Sequence, residues 1–578
     1  MRYASGLVAL WFFTMAAGIL PAQTPAARRA TPVLSPVRSQ PGGAWGTHGA
    51  VASAEVNATQ AGIEILRAGG NAVDAAVAVG FALAVTHPFA GNIGGGGFML
   101  IRMADGQSYF LDFREEAPGA ARPDMYLDAQ GNYIPNSSIL GYRAIGIPGS
   151  VAGLTTAEKR FGRLGLAAVM APAIRFAHDG FRLDYAEARS LHAENLKMFP
   201  VSHALFQRDG DYYQPGEVFR QPELAATLRE IARGGAAAFY RGAIAGELAA
   251  FLKSRGGLIT AADMAHYQAK WRQPLAGSYH GYGIVTSPPP SSGGVALLEM
   301  LNMLADSGYE KSGFLSAGAI HDEAEAMRRA FADRAAYMGD PDFNHLPLST
   351  LLSPDYARQR WSTVKADAAT PSSEIGAGPV PGQESSETTH YSVVDSAGDA
   401  VGVTTTLNNG YGSGVTAGKL GFLLNDEMDD FTSKPGVPNM FGLIQSKANA
   451  IEPYKRPLSS MVPTIVTKDG KLYLVVGSPG GPRIITTVFE VITDMVDFGL
   501  NVQQAVDAPR FHHQWMPDTL DLEGVGFSPD TEALLDRMGY HLKVRGFWCD
   551  AEAIAVDQAT GALRAATDDR ADGAAAAY

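Results

Sequence analysis

Apolar residues recur at helical spacing soon after residue 53: Val56, Ile63 and Leu66 fall on one face, with Ser53 placed to cap the helix and Gly69-Gly70 to stop it. The stretch from about Val73 to Val85 is apolar almost all round, which predicts a second helix that must be buried. Phe98 to Arg102 and Tyr109 to Phe113 read as strands joined by a turn at Asp105-Gly106. A helical middle follows and includes Ser292-Gly293-Gly294 leading into Val295 to Leu304. From about Ser362 to Glu387 the pattern lapses. Pro371, Pro379 and Pro381 sit among Ser, Gly, Ala and acidic residues, the profile of an exposed linker. Alternation resumes from Thr388 to Asp395 and, past a turn near Ala397-Gly398, from Ala400 to Leu407, so two paired strands are expected. Further strands at about Thr464 to Thr467 and Leu472 to Val476 precede a helix from Ile484 to Val496. A last helix opens at Ser528-Pro529 and ends before Gly539. The second half reads as α/β, with strands grouped before helices and no internal repeat.

The ends of the chain follow different rules. Arg2 precedes an almost uncharged apolar run from Ala4 to Leu20, and small, Pro-containing sequence comes next, which predicts a secretory signal over residues 1–27. The run is short of the roughly 20 residues that span a bilayer comfortably, so export is favoured over an anchor, with no stable membrane insertion once the signal is removed. Residues 28–46 form a spacer, and folded sequence is expected from about Thr47. With 578 residues, 46% hydrophobic and 18% charged, the chain has ample material for a core. A net charge of −13 leaves no basic surplus for phosphates, so nucleic acid is not an expected partner. The lone Cys549 excludes an internal disulfide and a cysteine-based zinc cluster, and it is read as packing.

Several suggestive clusters carry little chemistry. Gly94-Gly95-Gly96-Gly97, after Asn92, lacks the Lys-Ser/Thr of a phosphate loop and leads into a strand, so it is read as a place where two backbones approach closely. His390 and His512-His513 lack the spaced partners of a metal site and are read as structural. Asn57-Ala58-Thr59 matches a glycosylation sequon by chance inside a helix. Thr388 is different. If the bond from Glu387 to Thr388 were cut, one residue would own a hydroxyl nucleophile and an α-amine of pKa near 8, suited to act as general base.

The company Thr388 keeps gives that idea weight. Asp112-Phe113-Arg114-Glu115, Gly146-Ile147-Pro148-Gly149-Ser150 and Pro288-Pro289-Pro290-Ser291-Ser292-Gly293-Gly294 resemble large-subunit signatures of the γ-glutamyltranspeptidase family of N-terminal nucleophile hydrolases. Thr388-Thr389-His390-Tyr391-Ser392, Thr406-Leu407-Asn408, Met428-Asp429-Asp430-Phe431, Arg456-Pro457-Leu458-Ser459-Ser460-Met461 and Gly477-Ser478-Pro479-Gly480-Gly481 resemble its small-subunit signatures, in order. The resemblance covers about Thr47 to Tyr578. It implies an α+β fold, a four-layer αββα sandwich built jointly by a large subunit, residues 47–387 ending in the flexible linker, and a small catalytic subunit, residues 388–578.

By the same resemblance Thr388 is the processing residue and nucleophile, Thr406 orients it, and Gly480 and Gly481 form the oxyanion hole. Arg114, Ser459 and Ser460 would hold the α-carboxylate of a γ-glutamyl group, and Asn408, Glu427 and Asp430 its α-ammonium. Phe441 stands where many bacterial relatives carry a lid tyrosine, and Glu427 where some have Gln. The implied activity is γ-glutamyl transfer from glutathione or related donors to water, amino acids or peptides, with no cofactor and no metal. The alternatives are a sister amidase, such as a β-lactam acylase or a poly-γ-glutamate depolymerase, and a non-catalytic γ-glutamyl-binding protein. Taken singly, Arg114 beside Glu115 and Glu116 also reads as a surface ion pair, Ser459-Ser460 as a turn, and Asp429-Asp430 as a solvated corner.

Overall fold

The computed structural model describes residues 43–376, 388–434, 437, 439, 440, 442, 443 and 446–578. Two antiparallel seven-stranded sheets form its centre. The first runs in the order 574–577, 49–53, 389–395, 400–406, 96–102, 108–113, 270–272. The second runs 44–46, 563–567, 552–556, 471–477, 464–468, 282–286, 275–279. Both sheets interleave strands from either side of Thr388.

Two buried faces explain the strand sequences. In the first sheet Met99, Ile101, Leu111, Val393 and Val401 join an apolar cluster with the helices Val56–Arg67, Ala72–Thr86 and Ser150–Phe161. The alternate residues Phe98, Leu100 and Phe110 turn the other way and share a cluster with Ile465, Val475 and Ile554 of the second sheet. That cluster continues into Gly293–Leu304, Ala317–Tyr337 and Arg483–Val496 beyond the second sheet. The layers are helix, sheet, sheet, helix, and the sequence expectation of an αββα sandwich holds. Every residue of Ala72–Thr86 is buried, as its uninterrupted apolar character requires.

Some boundaries differ from expectation. Glu55, rather than Ser53, caps the first helix, its carboxylate accepting from Asn57 N and Ala58 N, while Ser53 Oγ bonds Thr59. Folded structure starts ahead of Thr47, because Ala44–Gly46 pairs with the strand Leu563–Thr567. The expected linker from Ser362 is exposed over much of its described part, but it is pinned at single residues: Thr370, Ser372 and Ile375 are buried, and Trp515 Nε1 donates to the carbonyls of Ser372 and Ile375 at 3.0 Å each. Among the described residues no helix is long and apolar enough to cross a membrane. The expected signal and most of the spacer lie outside the described residues.

Candidate active site

Two neighbouring strands present the reactive end of the site. The register Thr389↔Thr405 and Thr406↔Gly96 puts Thr388, one residue ahead of its strand, beside Thr406 at the same edge. The glycines of residues 94–97 make this edge possible. A Cβ on Gly95 would lie 2.0 Å from Thr406 O, and one on Gly97 2.3 Å from Thr404 O, so the close backbone approach read from the sequence is real. Asn92 locks the loop by donating from Nδ2 to Thr406 O at 2.9 Å and accepting from Gly95 N at 2.9 Å. Thr406 Oγ1 accepts from Asn408 N at 2.8 Å, which holds Asn408 at φ +81°, a conformation that a side chain rarely adopts without support. Asn408 Nδ2 donates to Asp426 O at 3.2 Å.

Opposite the threonines, the strand Lys471–Gly477 ends and the helix Arg483–Val496 begins, with Gly480 and Gly481 between them at φ +123° and +55°. Both angles favour glycine. The start of a 14-residue helix also concentrates positive backbone charge beside this turn. A Cβ on Gly480 would lie 2.1 Å from Cys549 Sγ. Cys549 is therefore packing behind this turn, and burial pushes its thiol up to about 11, the behaviour of an inert residue.

The second corner is charged. Arg114, 1% exposed, follows the strand Ser108–Phe113 and donates to Pro457 O at 3.3 Å and Leu458 O at 3.1 Å. Its guanidinium also pairs with Glu427 and with Asp430. The expected cation and the expected anions thus stand in direct contact across the site. Burial alone would lower the Arg114 pKa, but the Glu427, Asp430 and Glu115 carboxylates raise it above the ordinary value. Glu115 is fully buried, 3.7 Å from Arg114 Nη1. Burial is the main reason that Glu115 is pushed up to about 7 and that Glu427 lies well above the carboxylate range.

Buried ion pairs rivet this corner to the rest. Arg456 pairs with Asp112 at 2.5 Å and with Glu116 at 3.1 Å, tying the Arg114 segment to the Ser459-Ser460 segment. Ser292 N and Oγ donate to Ser459 O at 2.8 and 2.7 Å. Asn425 Nδ2 donates to Gly94 O and Gly146 O, and its Oδ1 accepts from Glu427 N. Ser138 Oγ donates to Asp429 at 2.6 Å and Asn439 Nδ2 to Asp430 at 3.1 Å. Arg114, Glu115 and Glu116 therefore form no surface ion pair, and Asp429-Asp430 is no solvated corner.

A small cleft joins the two corners. Thr388, Thr406, Asn408, Arg114, Glu427, Asp430, Ser459, Ser460 and Gly481 all line it, with Gly480 adjoining. Phe441 lies outside the described residues. The sequence reading missed Arg334 and Leu443, which also line the cleft, and gave no buried place to Glu115 beside Arg114. Arg334 sits in an arginine-rich helical stretch where no local signal separates it from Arg328 and Arg329. The histidines stand apart from this chemistry. His390 bonds Thr404 and Ser392 at 2.8 and 3.1 Å, and burial lowers its pKa to about 3, leaving it neutral.

Residues 58–578 match the family model described as Gamma-glutamyltranspeptidase. The chain belongs to the gamma-glutamyltranspeptidase family. It is 48% identical over 541 residues to the glutathione hydrolase proenzyme of Escherichia coli (strain K12), covering 93% of this chain and 92% of that one. The fold is similar to that of a cephalosporin acylase from Bacillus halodurans, with TM-score 0.81 and 29% identity over 95% of this chain and 99% of that chain. It is also similar to Helicobacter pylori gamma-glutamyltranspeptidase, with TM-score 0.56 and 42% identity over 59% of this chain and 97% of that chain. The resemblance read from the motifs is thereby borne out.

Proposed function

We propose that the protein cleaves the γ-glutamyl amide bond of glutathione and related compounds and passes the acyl group to water or to amino acids and peptides. The observation that carries this reading is the cleft itself, which combines a hydroxyl nucleophile and a glycine turn at one end with a cation, two carboxylates and two serines at the other. A γ-glutamyl donor needs both ends, since its α-carbon bears an ammonium and a carboxylate and its γ-carbon the amide.

In this account the bond before Thr388 is cut first, giving a small chain of 191 residues, the remainder after residue 387 of 578. Thr388 Oγ then attacks the γ-carbonyl while the new α-amine of Thr388 takes its proton. The N–H groups of Gly480 and Gly481 hold the oxyanion, and Thr406 holds the nucleophile in register. Collapse breaks the C–N bond, the leaving amine receives the proton, and a γ-glutamyl ester remains on Thr388. Water or an acceptor amine attacks that ester by the same route in reverse. The interleaved strands of both sheets support two chains that stay together after the cut. The apolar run after Arg2 supports export to the periplasm or medium.

The similarity to a cephalosporin acylase favours one second reading, an amidase for another acyl group. A non-amino-acid acyl chain would have no use for Arg114 facing Glu427 and Asp430, which argues for the γ-glutamyl donor. Electrophoresis of the purified protein followed by an assay with a chromogenic γ-glutamyl anilide tests the proposal. Two chains and turnover are expected. Turnover of glutaryl anilide but not γ-glutamyl anilide would favour the acylase reading instead.

A further inference from the structure

Arg334 projects from the helix Ala317–Tyr337 into the same cleft as Thr388 and Arg114, and it is 3% exposed. Its Nε donates to Ser292 Oγ at 2.8 Å and its Nη2 to Ser460 Oγ at 3.1 Å. Both partners are neutral hydroxyls. Among the described residues its buried Nη1 has no hydrogen-bond partner. Asp430 is the carboxylate whose field reaches it. Burial lowers its pKa to about 10, so it remains charged at neutral pH. A desolvated cation with an idle donor is costly unless an anion arrives to take it.

Arg114 presents the opposite situation. Its guanidinium is already occupied by Glu427, Asp430 and the carbonyls of Pro457 and Leu458. Four of its five N–H donors are thereby engaged, whereas Arg334 offers an idle donor at once. Ser460 Oγ accepts from Arg334, which turns its own O–H outward as a further donor. We propose that Arg334 is a second carboxylate-binding residue of the donor site, its Nη1 taking one α-carboxylate oxygen while Ser460 Oγ donates to the same group. The inference rests on the γ-glutamyl reading above and deepens it. Arg334 selects donors that keep the α-carboxylate, and Arg114 divides its charge between that carboxylate and the acids that receive the ammonium.

The test compares wild type, Arg334→Gln and Arg334→Lys, each confirmed as two chains by intact mass, on γ-glutamyl anilide and on 4-aminobutyryl anilide, which lacks the α-carboxylate. With Arg334→Gln, KM for γ-glutamyl anilide should rise about ten- to a hundredfold, the effect of losing a charge-assisted hydrogen bond, while kcat changes little. The same variant should lose less than about threefold on 4-aminobutyryl anilide, and Arg334→Lys should fall between. Equal losses on both donors would reduce Arg334 to a prop for Ser460 and overturn its role. A wild type that turns over neither donor would overturn the functional reading and this inference with it. A crystal structure of the wild-type protein with glutamate supplies a readout free of substitution. Nη1 within hydrogen-bond distance of the carboxylate is expected, and Nη1 facing empty space beside bound glutamate would overturn the assignment.

Discussion

Adding one methyl group at Gly480 should disable the reaction without disturbing donor binding. The new Cβ would meet Cys549 Sγ at 2.1 Å, far inside van der Waals contact, and the residue sits at φ +123°, where alanine is strained. Neither side can yield easily. Gly480 O accepts from Arg483 N at 3.1 Å at the start of the helix, and Cys549 is packed beside Arg510, which donates to Cys549 O at 2.6 Å. The peptide of Gly480 must therefore rotate, taking its N–H away from the oxyanion. Loss of one such donor costs roughly 10²- to 10³-fold in kcat, about 2.7–4 kcal/mol of transition-state stabilisation. The assay is kcat for a γ-glutamyl anilide per mole of cut chain, with the cut fraction taken from electrophoresis. KM should change little, because the head-group contacts lie at the far end of the cleft. Combining Gly480→Ala with Cys549→Ala removes the Sγ and should recover part of the loss, leaving the share due to backbone strain. A Gly480→Ala enzyme with wild-type kcat would refute the oxyanion assignment. A double variant no better than the single one would refute the steric route.

Thr388→Ala should remain a single inactive chain on electrophoresis, and Thr388→Ser should cut slowly, since it retains a hydroxyl. Arg114→Lys keeps the charge but loses the fork that meets Glu427 and Asp430, so KM for the anilide should rise about ten- to a hundredfold in a cut protein. Asp430→Asn should weaken γ-glutamyl anilide more than glutaryl anilide, which lacks the α-amine; equal weakening would remove Asp430 from the ammonium site. Glu115 is pushed up to about 7 from 4.5, mainly by burial. Its contribution to stability is present below pH 4.5 and lost as pH rises through about 7, so Glu115→Gln should flatten the fall in Tm over that window relative to wild type. Parallel Tm profiles in scanning calorimetry would contradict the upward shift of Glu115.

Much of the sandwich was legible because its strands and helices obey simple periods. The fully apolar helix Ala72–Thr86 and the paired strands that start at Thr389 and Ala400 fall within a residue or two of their expected ends. The glycines at 94–97 were readable as close approach, yet only the fold reveals that the backbone they meet belongs to Thr404 and Thr406. Local sequence misled where burial decides the outcome. Glu115 and Glu116 look like surface charge beside Arg114, but Arg456, some 340 residues away, draws Asp112 and Glu116 into the interior. Arg334 was invisible for the same reason, since its partners Ser292 and Ser460 come from two distant turns. The contact of Arg114 with Glu427 and Asp430 likewise could not be read from separate motifs, which suggested opposite ends of a substrate rather than one interlocked cluster.

The central claim is that Thr388 carries the γ-glutamyl group during turnover, and acid-quenched intact mass measures this directly. Purified two-chain protein mixed with excess γ-glutamyl anilide and quenched within a turnover should show the 191-residue chain heavier by one γ-glutamyl group, with digestion assigning the addition to Thr388 at the new N-terminus. An addition on any other residue, or steady turnover with the small chain never modified, would contradict the account.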